Sequence, residues 1–224
     1  MTGYMTAFLF DLDGTLVNSS ADLAASGNAV RQAFGSPPLP LEQVQSMIGD
    51  GLAALLERLL ADAPLAPGQN LDMQRAFEVF ALDYDQQCTR STSLYAGLRP
   101  CLDTLRAAGH GMAVVSNKPD RWCQAIIAHL DLAAHFPVII GGDGPRKPAP
   151  GQLIRAAQLL GVAVSDCVMV GDMANDVLAG RAAGCPVISV GWGFSALPEG
   201  VIADAHCQRP EDFPAVLREW GARI

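Results

Sequence analysis

Positive charge is scarce in this chain: 15 lysines and arginines face 23 aspartates and glutamates, for a formal net charge of −8 and a pI near 4.8. No Lys/Arg cluster appears anywhere. Both facts argue against a nucleic-acid or membrane-surface partner held by phosphate neutralisation. Long hydrophobic runs are also missing, and none approaches the ~18–20 residues of a membrane span. The N-terminus lacks a basic stretch followed by an apolar core and a small-residue cleavage site, so a cytoplasmic protein is expected. Six cysteines are scattered with no C-x-x-C pair, and the four histidines never stand at metal-ligand spacing. A disulfide framework and a Cys/His metal centre are therefore not expected, and the thiols read as small packing groups in a reducing compartment.

What is present is a core and two crowded acids. Half of the 224 residues are hydrophobic, enough for one domain or two small ones. The stretch Phe8-Leu9-Phe10-Asp11-Leu12-Asp13-Gly14-Thr15-Leu16 places two carboxylates directly after a short apolar strand. Side chains alternate along a strand, so Asp11 and Asp13 would point the same way from its carboxyl end. Gly14 permits a sharp bend that leaves amide N–H groups free to face an anion. Two acids this close are costly unless a cation or a phosphate-transfer reaction needs them.

From about residue 97 onward, helical and strand-like segments alternate. Helices are predicted over 98–108, through Ile126, Ile127 and Leu130, over 151–160 and over 174–183. Apolar strands are predicted at 112–115, 138–140, 167–170 and 187–190, with Phe8-Leu9-Phe10 as the first of the set. Strands apolar throughout and separated by helices indicate a parallel sheet covered on both faces: a doubly wound, mainly parallel, Rossmann-like α/β fold. Residues 18–92 interrupt this with helical stripes only, namely Leu23/Gly27/Val30/Phe34, Leu52/Leu55/Leu56/Leu59/Leu60 and Met73/Phe77/Phe80/Tyr84. Pro37-Pro38 and residues 64–68 punctuate them. The expected organisation is an α/β core of residues 1–17 and 93–224, with an inserted α-helical domain at 18–92. Connections near 17–20 and 90–96 would serve as hinges.

Open parallel sheets bind ligands at the carboxyl ends of their strands. In this chain those ends carry Asp11-x-Asp13-Gly14-Thr15, Ser116-Asn117, Lys147-Pro148 and Gly171-Asp172 with Asn175-Asp176. Singly, each group has an ordinary explanation as a turn, a helix cap or a solvated lysine. Together they supply acids for a divalent ion, and a hydroxyl, an amide and an ammonium for a phosphate.

In that order the four motifs resemble those of the haloacid dehalogenase superfamily, in its phosphatase branch, and the resemblance covers essentially the whole chain. The helical insertion looks like a C1-type cap. More narrowly, Gly49-Asp50-Gly51, Leu94-Tyr95-Ala96-Gly97, Ser116-Asn117-Lys118-Pro119, Gly141-Gly142-Asp143 and Ala182-Ala183-Gly184-Cys185-Pro186 resemble phosphoglycolate phosphatases. Asn18, where such enzymes often carry Asp, and Gly151 after Pro150 depart from the pattern.

The resemblance implies a Mg²⁺-dependent phosphomonoesterase, acting as a monomer or homodimer on a small phosphate ester, with 2-phosphoglycolate the best single guess. Asp11 would be the nucleophile and Asp13 the acid–base. Mg²⁺ would be held by Asp11, the Asp13 backbone carbonyl and Asp172, with Asp176 behind them. Gly14, Thr15, Ser116, Asn117 and Lys147 would bind phosphate, and Thr15 would hold Asp13. Gly49, Asp50 and Gly51 would shape specificity from the cap. An amino-sugar phosphate such as N-acetylmuramic acid 6-phosphate, or a nucleotide, remains an alternative substrate. A β-phosphoglucomutase-like mutase and a non-catalytic metabolite-binding protein are further alternatives.

Overall fold

The computed structural model describes residues 6–64 and 70–219. Its centre is β1 (Ala7–Phe10), whose side chains divide the molecule by simple alternation. Phe8 and Phe10 join one apolar cluster, while Ala7 and Leu9 join another. On the first face lie α5 (Leu98–Ala107), α6 (Asp120–His129) and α9 (Phe213–Glu219). They contribute Leu102 and Leu105, Ile126 and Ile127, and Phe213 and Leu217. On the second face, α7 (Gly151–Leu160) and α8 (Ala174–Ala183) contribute Leu153, Ala156, Val177 and Ala179. Small residues on that face let the helices approach the sheet closely.

The sheet also contains β4 (Gly111–Val115), β5 (Val138–Ile140), β6 (Cys167–Gly171), β7 (Val187–Val190) and β8 (Ala205–Cys207). Their order is β5-β4-β1-β6-β7-β8, and every pairing is parallel. The chain steps outward on one side of β1 and then crosses to β6 on the other. The divergence of connections beside β1 opens a crevice at the carboxyl ends of β1, β4 and β6. The doubly wound α/β architecture expected from the sequence is what the structure has. The edge strand β8 was not anticipated: three residues, Ala-His-Cys, carry too little pattern to stand out.

The insertion is helical. It comprises α1 (Ser20–Ala33), α2 (Leu41–Gln45), α3 (Leu52–Leu59) and α4 (Met73–Gln87). The predicted stripes converge in a third apolar cluster that includes Val30, Leu55, Leu56, Leu59, Phe80 and Tyr84. The expected break at 64–68 lies, from residue 65 on, outside the described residues. Where the insertion meets the sheet, β2 (Val17–Asn18) and β3 (Ser93–Leu94) form a short antiparallel pair. Asp22, buried at the start of α1, accepts hydrogen bonds from the backbone N–H groups of Ser91 and Thr92 and from the Thr92 hydroxyl. The two connections therefore run side by side and are tied together.

Among the described residues, one buried side chain from the α/β part belongs to the cluster of the insertion, and Phe194 packs against it from the same part. Trp122 of α6 packs edge-on against Tyr84, with ring centroids 4.9 Å apart, and against Phe80 at 5.7 Å. Its indole N–H donates to Asp85 at 2.7 Å. Trp122 thus clamps α4 onto the sheet domain. Trp122→Ala is expected to cost about 3 kcal/mol or more through the cavity it leaves. Urea denaturation measures this; a loss below about 1 kcal/mol would show that the clamp contributes little.

Candidate active site

Each strand end that carries a motif delivers its side chains to one place. Asp11 continues β1, and its backbone N–H still pairs with the Val170 carbonyl of β6 at 2.9 Å. Its carboxylate therefore emerges between two strands and not on a free loop. Lys147, from the loop after β5, reaches back beneath it. Its Nζ donates to Asp11 Oδ1 at 2.8 Å, to Asp176 Oδ1 at 2.6 Å and to the Val115 carbonyl at 2.8 Å. All three N–H groups of the ammonium are thus used. Burial works against the Lys147 cation, but Asp11 and Asp176 outweigh it and hold the ammonium above its ordinary pKa.

Asp172 stands at the end of β6. It accepts from the Thr15 hydroxyl at 2.9 Å and from the Phe194 N–H at 2.8 Å. Gly14 has φ +86°, and a Cβ there would lie 2.4 Å from Asp172 Oδ2, so only glycine lets this turn pass the carboxylate. Thr15 therefore orients Asp172, and the expectation that it holds Asp13 is corrected. The turn after Asp13 carries Thr15 towards β6, and the hydroxyl meets the nearer acid. Asp13 is held instead by Ser19, whose hydroxyl donates to Oδ1, and by Lys118, whose Nζ lies 3.0 Å from both carboxylate oxygens.

The acids are crowded and buried. Oxygens of Asp11, Asp172 and Asp176 lie within 4.8 Å of one another. Burial, outweighing the nearby Lys147, raises the Asp11 carboxyl to about 6. Burial, followed by repulsion from Asp11 and Asp176, raises Asp172 to about 8. One ammonium does not balance three carboxylates. A set of hard oxygen donors left with surplus negative charge suits a divalent cation, so the residues present fit the metal site that the sequence implies.

Ser116 and Asn117 follow β4. They line the same cavity as Asp11 and Asp13, beneath Gly49 and Gly51 of the insertion. The Asn117 amide is engaged in full: Oδ1 accepts from the Lys147 N–H at 2.9 Å, and Nδ2 donates to the Lys147 carbonyl at 2.9 Å and the Gly49 carbonyl at 3.0 Å. Gln152, at the start of α7, completes the scaffold by donating to the Ser116 and Gly141 carbonyls, each at 2.8 Å. The Gly49-Asp50-Gly51 segment meets the α/β part directly. Asp50 Oδ1 accepts from Asn175 at 2.6 Å, and a Cβ on Gly49 would strike Met173 Sδ at 2.1 Å.

Asp11, Asp172, Asp176 and Lys147 therefore form one contiguous group, with Asp13, Ser116 and Asn117 beside it. Lys118, Ser19 and Gln152 were not singled out from the sequence. Lys118 lies inside Ser116-Asn117-Lys118-Pro119, whereas Ser19 and Gln152 carry no local signal.

This fold and this arrangement of groups define a hydrolase that can act on phosphate esters. The haloacid dehalogenase-like hydrolase family model matches residues 5–184, and the chain belongs to that family. Its relatives narrow the class to phosphatases. A phosphoglycolate phosphatase of Chromobacterium violaceum is 39% identical over 194 residues, covering 86% of this chain and 87% of its own. The plasmid-borne phosphoglycolate phosphatase of Cupriavidus necator is 38% identical over 216 residues, covering 95% and 93%. A crystal structure described as a predicted phosphoglycolate phosphatase from Haemophilus somnus 129PT superposes with a TM-score of 0.85 at 28% identity, covering 96% of this chain and 99% of its own. Among the described residues, no helix is long and apolar enough to cross a membrane.

The raised carboxyls have a signed consequence for stability. Unfolded, these groups titrate near 3.8; folded, Asp11 and Asp172 hold their protons up to about 6 and about 8. The native state therefore binds more protons across that window, and metal-free stability falls as pH rises through it. Melting with a chelator present should show a lower Tm at about pH 8 than at about pH 5, and added Mg²⁺ should raise Tm most at the higher pH. A metal-free Tm that rises over this range would contradict the electrostatics of the acid cluster.

Proposed function

We propose that the protein is a Mg²⁺-dependent phosphomonoesterase whose substrate is 2-phosphoglycolate, working through an aspartyl-phosphate on Asp11. The observation that carries this reading is the pairing of Asp11 and Asp13 in one cavity, with Lys147 bonded to Asp11 from behind. A second acid beside a lysine-braced carboxylate is what two successive displacements at phosphorus require.

In the first half-reaction an Asp11 carboxylate oxygen attacks phosphorus in line, and the ester P–O bond breaks. Asp13 gives its proton to the departing alkoxide. In the second, Asp13 takes a proton from water as that water's oxygen attacks phosphorus, releasing Asp11 and inorganic phosphate. Lys147 fixes the orientation of Asp11 and offsets charge between it and the phosphoryl oxygens. Ser116 and the backbone N–H groups of Leu12 and Asp13 donate to those oxygens; the Gly14 N–H, expected to do so, is spent on the Val17 carbonyl at 2.9 Å, and Gly14 serves the turn instead. The Asn117 amide positions the Lys147 backbone. Asp11, the Asp13 carbonyl and Asp172, with Asp176 behind, would hold Mg²⁺, which when bound would supply charge neutralisation at the phosphoryl group.

Residues 18–92 act in this reading as a cap over a catalytic domain of residues 1–17 and 93–224. The paired connections at β2 and β3 serve as its hinge, and closure at Gly49–Gly51 shields the site from water. The relatives named phosphoglycolate phosphatase support the choice of substrate. The six buried free thiols suit a reducing compartment, and we assign the protein to the cytoplasm.

Asp11→Asn should lower Mg²⁺-dependent release of phosphate from 2-phosphoglycolate by at least about 10³-fold, the scale on which removal of a covalent nucleophile is felt. Near-native turnover would remove Asp11 from its role.

A further inference from the structure

The mechanism above leaves one buried cation on the cavity wall without a part in the chemical steps. Lys118 is almost fully enclosed and lines the cavity that holds Asp11 and Asp13. Among the described residues lining that cavity it is the only cation. Its ammonium touches both Asp13 oxygens at 3.0 Å and sits 4.7 Å from the centre of the Tyr84 ring. The Asp13 oxygens take at most two of its three N–H donors. Beside it, the wholly buried Tyr84 hydroxyl lies close to the Lys118 ammonium but makes no hydrogen bond of normal geometry. A buried phenol whose hydrogen bonding is incomplete is costly, and here it leaves the Lys118 end of the cavity able to take a further acceptor.

The rest of the cavity wall narrows what that acceptor can be. The insertion contributes Leu23, Ile48, Leu52, Leu55 and Phe80, with Gly49 and Gly51, and none offers a polar side chain. A sugar or nucleoside would bury several hydroxyls against this surface with nothing to bond them. A single anionic group, by contrast, would find the Lys118 ammonium on a wall whose insertion side is apolar, with the Tyr84 phenol packed behind that ammonium, where a charge-assisted hydrogen bond is strong.

We propose that Lys118, supported by the Tyr84 hydroxyl, is the specificity-determining anchor for a carboxylate on the substrate, on the side of the ester away from the phosphoryl group. The inference rests on the phosphatase reading and deepens it: the ester is selected for a second negative charge and against polyols. Lys118 then has two neighbours on one ammonium, Asp13 and the substrate carboxylate, so recognition of the correct substrate is coupled to the placement of the acid–base group.

The test compares 2-phosphoglycolate with 2-hydroxyethyl phosphate, in which a neutral hydroxymethyl group replaces the carboxylate. For the wild-type enzyme, kcat/KM should favour 2-phosphoglycolate by about 10- to 100-fold, the range of a hydrogen bond to a charged group. Lys118→Met should bring that ratio close to one. Loss of the Asp13 contact slows both esters together, so the ratio and not either rate reports the carboxylate. Tyr84→Phe should lower the ratio by a smaller factor. Calorimetric binding of both esters to the Asp11→Asn protein repeats the comparison without turnover, and with Lys118 intact it does not depend on the folding of a Lys118 variant. A wild-type ratio near one, or a ratio that survives Lys118→Met, overturns the anchor while phosphatase activity stands. Absence of turnover on either ester, with binding to Asp11→Asn still selective for the carboxylate, overturns the phosphatase reading and upholds the anchor.

Discussion

The ammonium of Lys147 is the constraint on which the site is built. It is enclosed by protein, satisfied by two carboxylates and one carbonyl, and drawn from three separate strand connections. Removing water from such a charge is expensive, and only complete hydrogen bonding offsets it. The loop after β5 is consequently pinned to the ends of β1, β4 and β6 at once. The Asn117 and Gln152 contacts extend the same logic one layer outward, since each bonds backbone groups that would otherwise be stranded near the buried lysine.

That arrangement leaves a deliberate imbalance. Lys147 braces Asp11 and Asp176 but does not touch Asp172, whose partners are a hydroxyl and a backbone N–H. Three acids with one cation favour protons or a metal, and at neutral pH a divalent ion is the better neutraliser. The site is therefore strained electrostatically until a cation arrives. A dianionic phosphate entering such a group of acids would be repelled, so a cation bound there would both relieve the carboxylates and make the approach of the proposed substrate feasible.

Much of this was legible from sequence, because strand ends are local features. Alternation placed Asp11 and Asp13 together, and the helices over 151–160 and 174–183 coincide with α7 and α8. Parallel strands buried on both faces announce themselves by continuous apolar runs, so the sheet was readable apart from β8. What stayed hidden was the choice of partner. Thr15 lies two residues from Asp13 in sequence, yet its hydroxyl serves Asp172, 157 residues away. Ser19 reads as an ordinary helix-start residue, and its bond to Asp13 exists only because the turn after Gly14 doubles the chain back. Such pairings depend on the direction of a side chain after folding, which spacing alone does not encode.

The insertion and the groups of the candidate site are linked more closely than a lid on a box. Trp122, Lys118 and Asn117 all leave the short stretch after β4, and each engages the insertion: Trp122 packs its ring on Phe80 and Tyr84, Lys118 sits over the Tyr84 ring, and the Asn117 amide donates to the Gly49 carbonyl. The same stretch supplies Lys118 to Asp13 and Asn117 to the Lys147 backbone. A movement of the insertion away from the sheet would break the Asn117 and Asp50 bonds and strip Tyr84 from Lys118, exposing a buried ammonium to water. Solvation of that charge weakens its hold on Asp13. In the proposed mechanism, opening and closing of the insertion would therefore change the electrostatics around Asp13 as well as its access to water, through residues that never contact phosphorus.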